Sequence, residues 1–175
     1  MGFPMAGHLA KAGHQVTVYN RSAAKAQAWV AEFGGKVCER PKQRPRMPTS
    51  SSVAWQRQDL ASVVLGDNGA FAGMKKGALF VDHTTASAKI ARELAAQAQK
   101  HGLTFLDAPV SGGQAGAVNG LLTVMVGGDQ ARFDQAKPVA MAFSRAFTRI
   151  GESGAGQLAK MVNQICIAGL GARPV

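Results

Sequence analysis

Lys160, Asn163 and Gln164 are spaced three and four residues apart, so on a helix the two amides would share the lysine's face. A lysine whose ammonium is disfavoured by burial can take a proton from a hydroxyl group and return it, and amides beside it can orient a substrate or the ammonium itself. Ser111-Gly112-Gly113 offers a hydroxyl and two backbone amides, a small anion nest suited to a carboxylate. Taken singly, each has a plainer reading: the lysine as a solvated helix residue, Ser-Gly-Gly as a turn. His8, His14, His83 and His101 show no ligand spacing, and no metal site is expected. Cys38 and Cys166 lie far apart, which suggests no disulfide framework and two plain buried thiols.

The elements that must carry these residues can be read from period and punctuation. Met5 to Ala12 is helical in composition and Gly13 stops it. Gln15 to Tyr19 is β-rich and ends at Asn20, a good cap for a helix over Ala23 to Phe33. Further on, Leu60 to Leu65 reads as a short helix, Ala78 to Val81 as a buried strand ending at Asp82, and Ser87 to Lys100 as an Ala-rich helix closed by His101-Gly102. Strands over Leu103 to Leu106, Leu121 to Val126 and Phe147 to Ile150 follow, with a helix from Gln130 to Lys137 that Pro138 ends. This alternation predicts a parallel, doubly wound α/β sheet.

Composition sets the outer limits. With 175 residues, 46% hydrophobic and 17% charged, the chain has the profile of one globular domain, and it contains no apolar run long enough to cross a membrane. The start lacks the pattern of a secretory signal, which makes the cytoplasm the expected location. The net charge of +10 raises nucleic acid as a partner. Much of that excess sits in residues 39–58, where Arg40, Lys42, Arg44, Arg46 and Arg57 face one acid, Glu39. Pro41, Pro45, Pro48 and the run Thr49 to Ser52 make that segment a loop or disordered insert, so no nucleic-acid partner is expected.

The opening MGFPMAGHLAKAGHQVTVYNRS resembles the first turn, helix and second strand of a dinucleotide-binding fold. There a glycine at the helix start lets a pyrophosphate approach the backbone amides, which assigns Gly2, Phe3, Pro4 and Met5 to the cofactor. Gly2 corresponds to the third glycine of G-x-G-x-x-G, and the first two, with their strand, are expected upstream of Met1. At the end of the second strand an acid would bond the ribose of NAD. Neutral Asn20 followed by Arg21 instead favours the 2′-phosphate of NADP, with NAD as the alternative.

Three later motifs resemble the β-hydroxyacid dehydrogenases, the family of 3-hydroxyisobutyrate dehydrogenase, tartronate semialdehyde (2-hydroxy-3-oxopropionate) reductase and 6-phosphogluconate dehydrogenase. Asp82-His83-Thr84-Thr85 stands at the family's D-x-S-T. Asp107-Ala108-Pro109-Val110-Ser111-Gly112-Gly113 is its substrate loop, continuing through Gly116-Ala117 and Gly120 to LLTVMVGGD. Gly151, Gly154, Gly156, Lys160 and Asn163 reproduce G-x-x-G-x-G-x-x-x-K-x-x-N. The resemblance implies a Rossmann-type NAD(P)-binding domain over residues 1–150 and, over 151–175, the start of a linker helix to a helical C-terminal domain outside this chain. It implies hydride transfer between NAD(P) and a small carboxylate substrate, with Lys160 as acid/base. Ser111, Gly112, Gly113, Asn163 and Gln164 then contact substrate, and Thr85 lies near the nicotinamide. The family's homo-oligomer is an open expectation for a chain lacking the second domain.

Two departures bear on activity. Family members commonly have two asparagines where this chain has Asn163-Gln164, and at residues 39–58 they have an acidic helix and an apolar strand. A compensated pair of frameshifts would account for the second departure, and an inserted base for the chain's abrupt end. Tartronate semialdehyde stands slightly ahead of 3-hydroxyisobutyrate as the expected substrate. The contrasting expectation is a fragment that keeps part of the cofactor-binding fold without the chemistry.

Overall fold

The computed structural model describes residues 1–39 and 60–171. The expected basic loop, apart from Glu39, and residues 172–175 lie outside them.

The N-terminal layer is small. Helix α1 (Gly2–Lys11) leads to strand β1 (Thr17–Val18), helix α2 (Ala23–Phe33) and strand β2 (Lys36–Val37), and the two strands pair in parallel with Thr17 opposite Lys36. The helix α1 starts three residues before the expected Met5 because Pro4 falls in its first turn, where a missing N–H costs no intrahelical bond. The helix α2 is capped at Ser22 instead of Asn20. Asn20 Oδ1 accepts the Ser22 amide at 2.9 Å, so the asparagine makes a turn ahead of the cap. Trp29 is buried between the two helices and donates its indole N–H to the Phe3 carbonyl at 3.1 Å.

The main sheet has five strands. Strand β3 (Leu79–Asp82) pairs in parallel with β4 (Thr104–Asp107), and β4 meets β6 (Leu122–Gly127), which also pairs with β5 (Val110–Ser111) and β7 (Ser144–Gly151). The pairing of β6 with β7 is parallel like that of β3 with β4, and the pairings of β6 with β4 and β5 are antiparallel, the one departure from the expected parallel sheet. The reason is local. Strands β4 and β5 run along the same side of β6 as one bent ribbon interrupted at Pro109, which has no N–H to give but whose carbonyl accepts the Met125 amide at 3.1 Å.

Both faces of the sheet are covered, as the uninterrupted apolar strands require. One face carries Leu79, Val81, Leu106, Leu122, Val124 and Val126 in a cluster with Met5, Ala117 and Phe133. These last come from α1, α6 (Gly113–Val118) and α7 (Gln130–Ala140). The other carries Phe80 and Phe105 against α3 (Leu60–Val64), α4 (Ala70–Gly73) and α5 (Ala88–Lys100). Elements β2, α4, β5 and α6 had no sequence expectation, being only two to six residues long. The helix α7 runs through Pro138 to Ala140, since a proline there removes one hydrogen bond while Ala136, Ala140 and Phe143 hold the turn to the core.

Helix α8 (Ala155–Gly171) closes the structure, packing on β4, β6, β7 and α5. Beyond its first turns it exposes Met161, Val162, Ile165 and Ile167. Cys166 is exposed there too, whereas Cys38 is buried, so only one thiol fits the expectation. No helix among the described residues is long and apolar enough to cross a membrane.

Phe80 is fully buried, stacked on Phe105 at 5.9 Å and edge-on to Phe71 at 5.2 Å. Replacing it (Phe80→Ala) removes the centre of that face, and the expected loss in a urea melt is about 3–5 kcal/mol of unfolding free energy.

Candidate active site

The site is organised where β4 ends. The Asp107 carboxylate meets the N-terminus of α8, with Oδ1 accepting the Gly154 amide at 2.7 Å and Oδ2 the Gln157 amide at 3.0 Å. An acid held there satisfies open helix donors and complements the helix dipole. Three glycines make the approach possible. A Cβ at Gly127 would lie 2.5 Å from Asp107 Oδ1, and one at Gly156 would collide with the Met125 carbonyl and sit 2.9 Å from Asp107 Oδ2. Gly154 has φ +92°, which a side chain rarely tolerates. The spacing Gly154-x-Gly156 thus follows from docking a helix end onto a strand end.

One turn past Gln157, Lys160 is 8% exposed, and burial lowers the pKa of its ammonium. It makes no hydrogen bond or ion pair among the described residues, which leaves the amine available to an incoming group. Asn163 Nδ2 reaches Ser111 Oγ at 3.5 Å, a long contact that joins the last helix to the Ser-Gly-Gly loop. Gln164 is exposed and has no hydrogen-bond partner among the described residues. Consecutive helix positions lie 100° apart, so the helix turns Gln164 away when Asn163 faces Ser111. Gly112 and Gly113 both have positive φ (124° and 60°) and open α6 beside Ser111.

The end of β3 supplies the second half. Asp82 Oδ1 accepts the Thr84 amide at 2.9 Å, and Oδ2 is buried without a hydrogen-bond partner among the described residues. Burial pushes the carboxyl up to about 6, with the nearby Asp107 adding to the shift. Asp107 itself is raised by burial, against the pull of its amide donors. His83 is buried, donates Nδ1–H to the Ala108 carbonyl at 2.7 Å as a neutral ring, and sits edge-on to Phe143. Burial lowers its pKa to about 4. Thr85, between these buried residues and α5, is exposed.

At α1, Pro4 has no N–H and the Met5 amide donates to the Met1 carbonyl at 3.2 Å, while the Met5 side chain lies in the core. Gly2 and Phe3 therefore carry the open amides of this helix end. His8 Nε2 binds the carbonyls of Ala117 and Val118 at 3.2 and 3.0 Å, fastening α1 to α6. Asn20 and Arg21 are exposed beyond β1. The structure thus brings Ser111 to Asn163, and the Thr84–Ala86 turn to α8 through Gln157. It gives Gly2, Asn20 and Thr85 no hydrogen bond to Lys160. Gln157 and His83 were not foreseen as site residues. The only signal for Gln157 was a polar residue one turn before a lysine.

A glycine-led helix with open amides, set in a doubly wound α/β layer whose strand ends gather polar side chains, is the arrangement of a dinucleotide-binding domain. The chain belongs to the family described as the NAD binding domain of 6-phosphogluconate dehydrogenase, which it matches over residues 1–151. It is 58% identical, over 97% of its length, to an uncharacterized oxidoreductase of Shewanella frigidimarina, covering 59% of that protein. Among solved structures, the 3-hydroxyisobutyrate dehydrogenase of Mycobacterium tuberculosis with L-serine is 32% identical, with a TM-score of 0.84 over 96% of this chain and 57% of that one. A structure described as Psf3 in complex with NADP+ and 2-OPP is 25% identical, with a TM-score of 0.88 over 95% of this chain and 59% of that one. The chain therefore spans less than two thirds of each relative's length.

The buried groups give opposed pH dependences. Asp82 rises from 3.8 to about 6, so the folded state holds its proton more tightly than the unfolded chain, and stability falls as pH rises from about 4 to 6. Asp107 acts in the same direction. His83 falls from 6.5 to about 4, so its part of the stability grows as pH rises across that window. Asp82→Asn removes one carboxylate's share. In urea melts at pH 4.5 and 6.5 it should gain more stability on going to the higher pH than the unaltered protein does.

Proposed function

We propose that this chain is the cofactor-binding and proton-transferring part of an NAD(P)-dependent oxidoreductase acting on small β-hydroxy acids, with residues 1–150 as the cofactor domain and 151–175 opening the linker helix. The observation that carries the reading is the juxtaposition on α8. A buried lysine with a lowered pKa lies one turn before an asparagine in contact with Ser111 of the Ser-Gly-Gly loop.

In this reading the Gly2 and Phe3 amides receive the pyrophosphate, and Asn20-Arg21 lie toward the adenosine ribose. Arg21 favours a 2′-phosphate and hence NADP, with NAD the alternative. Bound, the nicotinamide supplies the hydride acceptor or donor. Ser111 and the Gly112-Gly113 turn take the substrate carboxylate, and Asn163 orients the substrate from the helix side. Lys160 Nζ takes the hydroxyl proton during oxidation and returns it during reduction, a role that favours an amine whose pKa burial lowers over an ordinary solvated lysine. Gln164, turned outward, has no substrate contact in this scheme. The relatives' names put 3-hydroxyisobutyrate and L-serine beside tartronate semialdehyde as substrates to test. A cytoplasmic location fits this chemistry.

The exposed apolar side chains of α8, Met161, Val162, Ile165 and Ile167, favour a second reading in which this span binds cofactor and turnover needs a further surface packed against them. Lys160→Met separates the two. Assayed with NADP(H) and the three acids, it should lower turnover by about a thousandfold while the cofactor dissociation constant stays within about twofold. Cofactor binding without turnover in the unaltered chain would support the second reading.

A further inference from the structure

Gln157 is fully buried, and each of its polar groups is used in a different direction. Its backbone amide donates to Asp107 Oδ2 at 3.0 Å. Its side-chain Oε1 accepts the Ala86 amide at 2.9 Å, and its Nε2 donates to the Thr84 carbonyl at 2.7 Å. The two side-chain bonds straddle Thr85, whose own side chain is left exposed. The same helix carries Lys160 one turn further on. Only a glutamine meets this demand: glutamate cannot donate to a carbonyl when ionised, asparagine is one methylene short, and methionine has neither group. A second contact marks the same seam, Arg92 Nε donating to the Ser153 carbonyl at 3.3 Å from α5.

We propose that Gln157 is a positioning residue that locks the Thr84–Ala86 turn to α8, so that the nicotinamide end of the cofactor and Lys160 are held in one rigid frame. The proposal rests on the reading of Thr85 and Lys160 given above and deepens it. A buried amide bonded at both ends is costly to disengage, since its partners would be left unpaired away from water. The turn therefore cannot drift from the helix and moves with it. Thr85 is fixed from the backbone on either side while its side chain stays open to a ligand.

The test compares the full chain with Gln157→Met, which keeps size and removes both bonds, and with Ala98→Gly, which weakens buried α5 away from the seam. Dissociation constants are measured for NADP+ and for the 2′-phosphorylated ADP-ribose that lacks nicotinamide. Gln157→Met should weaken NADP+ binding by about fivefold or more and leave the truncated ligand within twofold, because only the nicotinamide side depends on the turn. Ala98→Gly should lower the melting temperature yet leave the ratio of the two constants unchanged. Equal weakening of both ligands by Gln157→Met, or no weakening of either, would overturn the proposal. If the unaltered chain binds neither ligand, the cofactor reading fails separately, and the clamp is judged by hydrogen exchange at the Ala86 amide. Exchange at least tenfold faster in Gln157→Met than in the unaltered chain supports the clamp, and an unchanged rate overturns it.

Discussion

The Asp107 carboxylate at the head of α8 is the constraint from which the rest of this structure follows. A strand end and a helix end can meet this closely only if nothing intervenes, which is why glycines stand at 127 and 156, while Gly154 supplies the positive φ of the turn into the helix. The same contact sets the bend after Ala108: the chain must turn at Pro109 to continue as β5 along β6, which places Ser111 where Asn163 of α8 can reach it. A charge-assisted pair of amide bonds at a helix N-terminus is strong enough to fix the helix rotation, and the rotation decides that Lys160 and Asn163 face inward while Gln164 faces out.

That arrangement carries an electrostatic cost. Asp82 and Asp107 are partners in register on parallel neighbouring strands, both fully buried, and one oxygen of Asp82 has no hydrogen-bond partner among the described residues. Burial raises the carboxyl of Asp82, and the nearby Asp107 charge adds to the shift. His83 adds a buried neutral ring beside them. Such groups gather at the carboxyl ends of strands, where ligands of open α/β sheets bind, and their expense marks the place where the fold gives up stability for a site.

Much of this was legible in the sequence. The long elements announced themselves: the α5 helix through its many alanines and the His101-Gly102 that closes it, β3 through an apolar run ending at Asp82, and β6 through a mostly apolar run ending at glycine. The ordered motifs around Asp82, Asp107 and Lys160 pointed to the family. What the sequence could not reveal depends on contacts across it. Residues 107 and 154 are far apart along the chain, so the docking of a carboxylate onto a helix end has no local signature. Antiparallel pairing of β6 with β4 and β5 has none either, because period-2 patterning is the same in both directions. Gln157 read as one polar helix residue among others, and its importance appears only when the Thr84–Ala86 turn is seen against it. Residues three and four apart both share a face with Lys160 in the sequence pattern, and only the packing shows that Asn163 reaches Ser111 while Gln164 is exposed.

Hydrogen exchange at the first amides of α8 tests the central claim most directly. Helix N-termini ordinarily fray, and their open amides exchange quickly. If the Asp107 carboxylate holds α8 in place, the Gly154 and Gln157 amides should be protected as strongly as those of the β3–β4 ladder and should lose that protection in Asp107→Asn at one or both positions. Fast exchange at Gly154 and Gln157 in the unaltered protein, with the ladder protected, would contradict it.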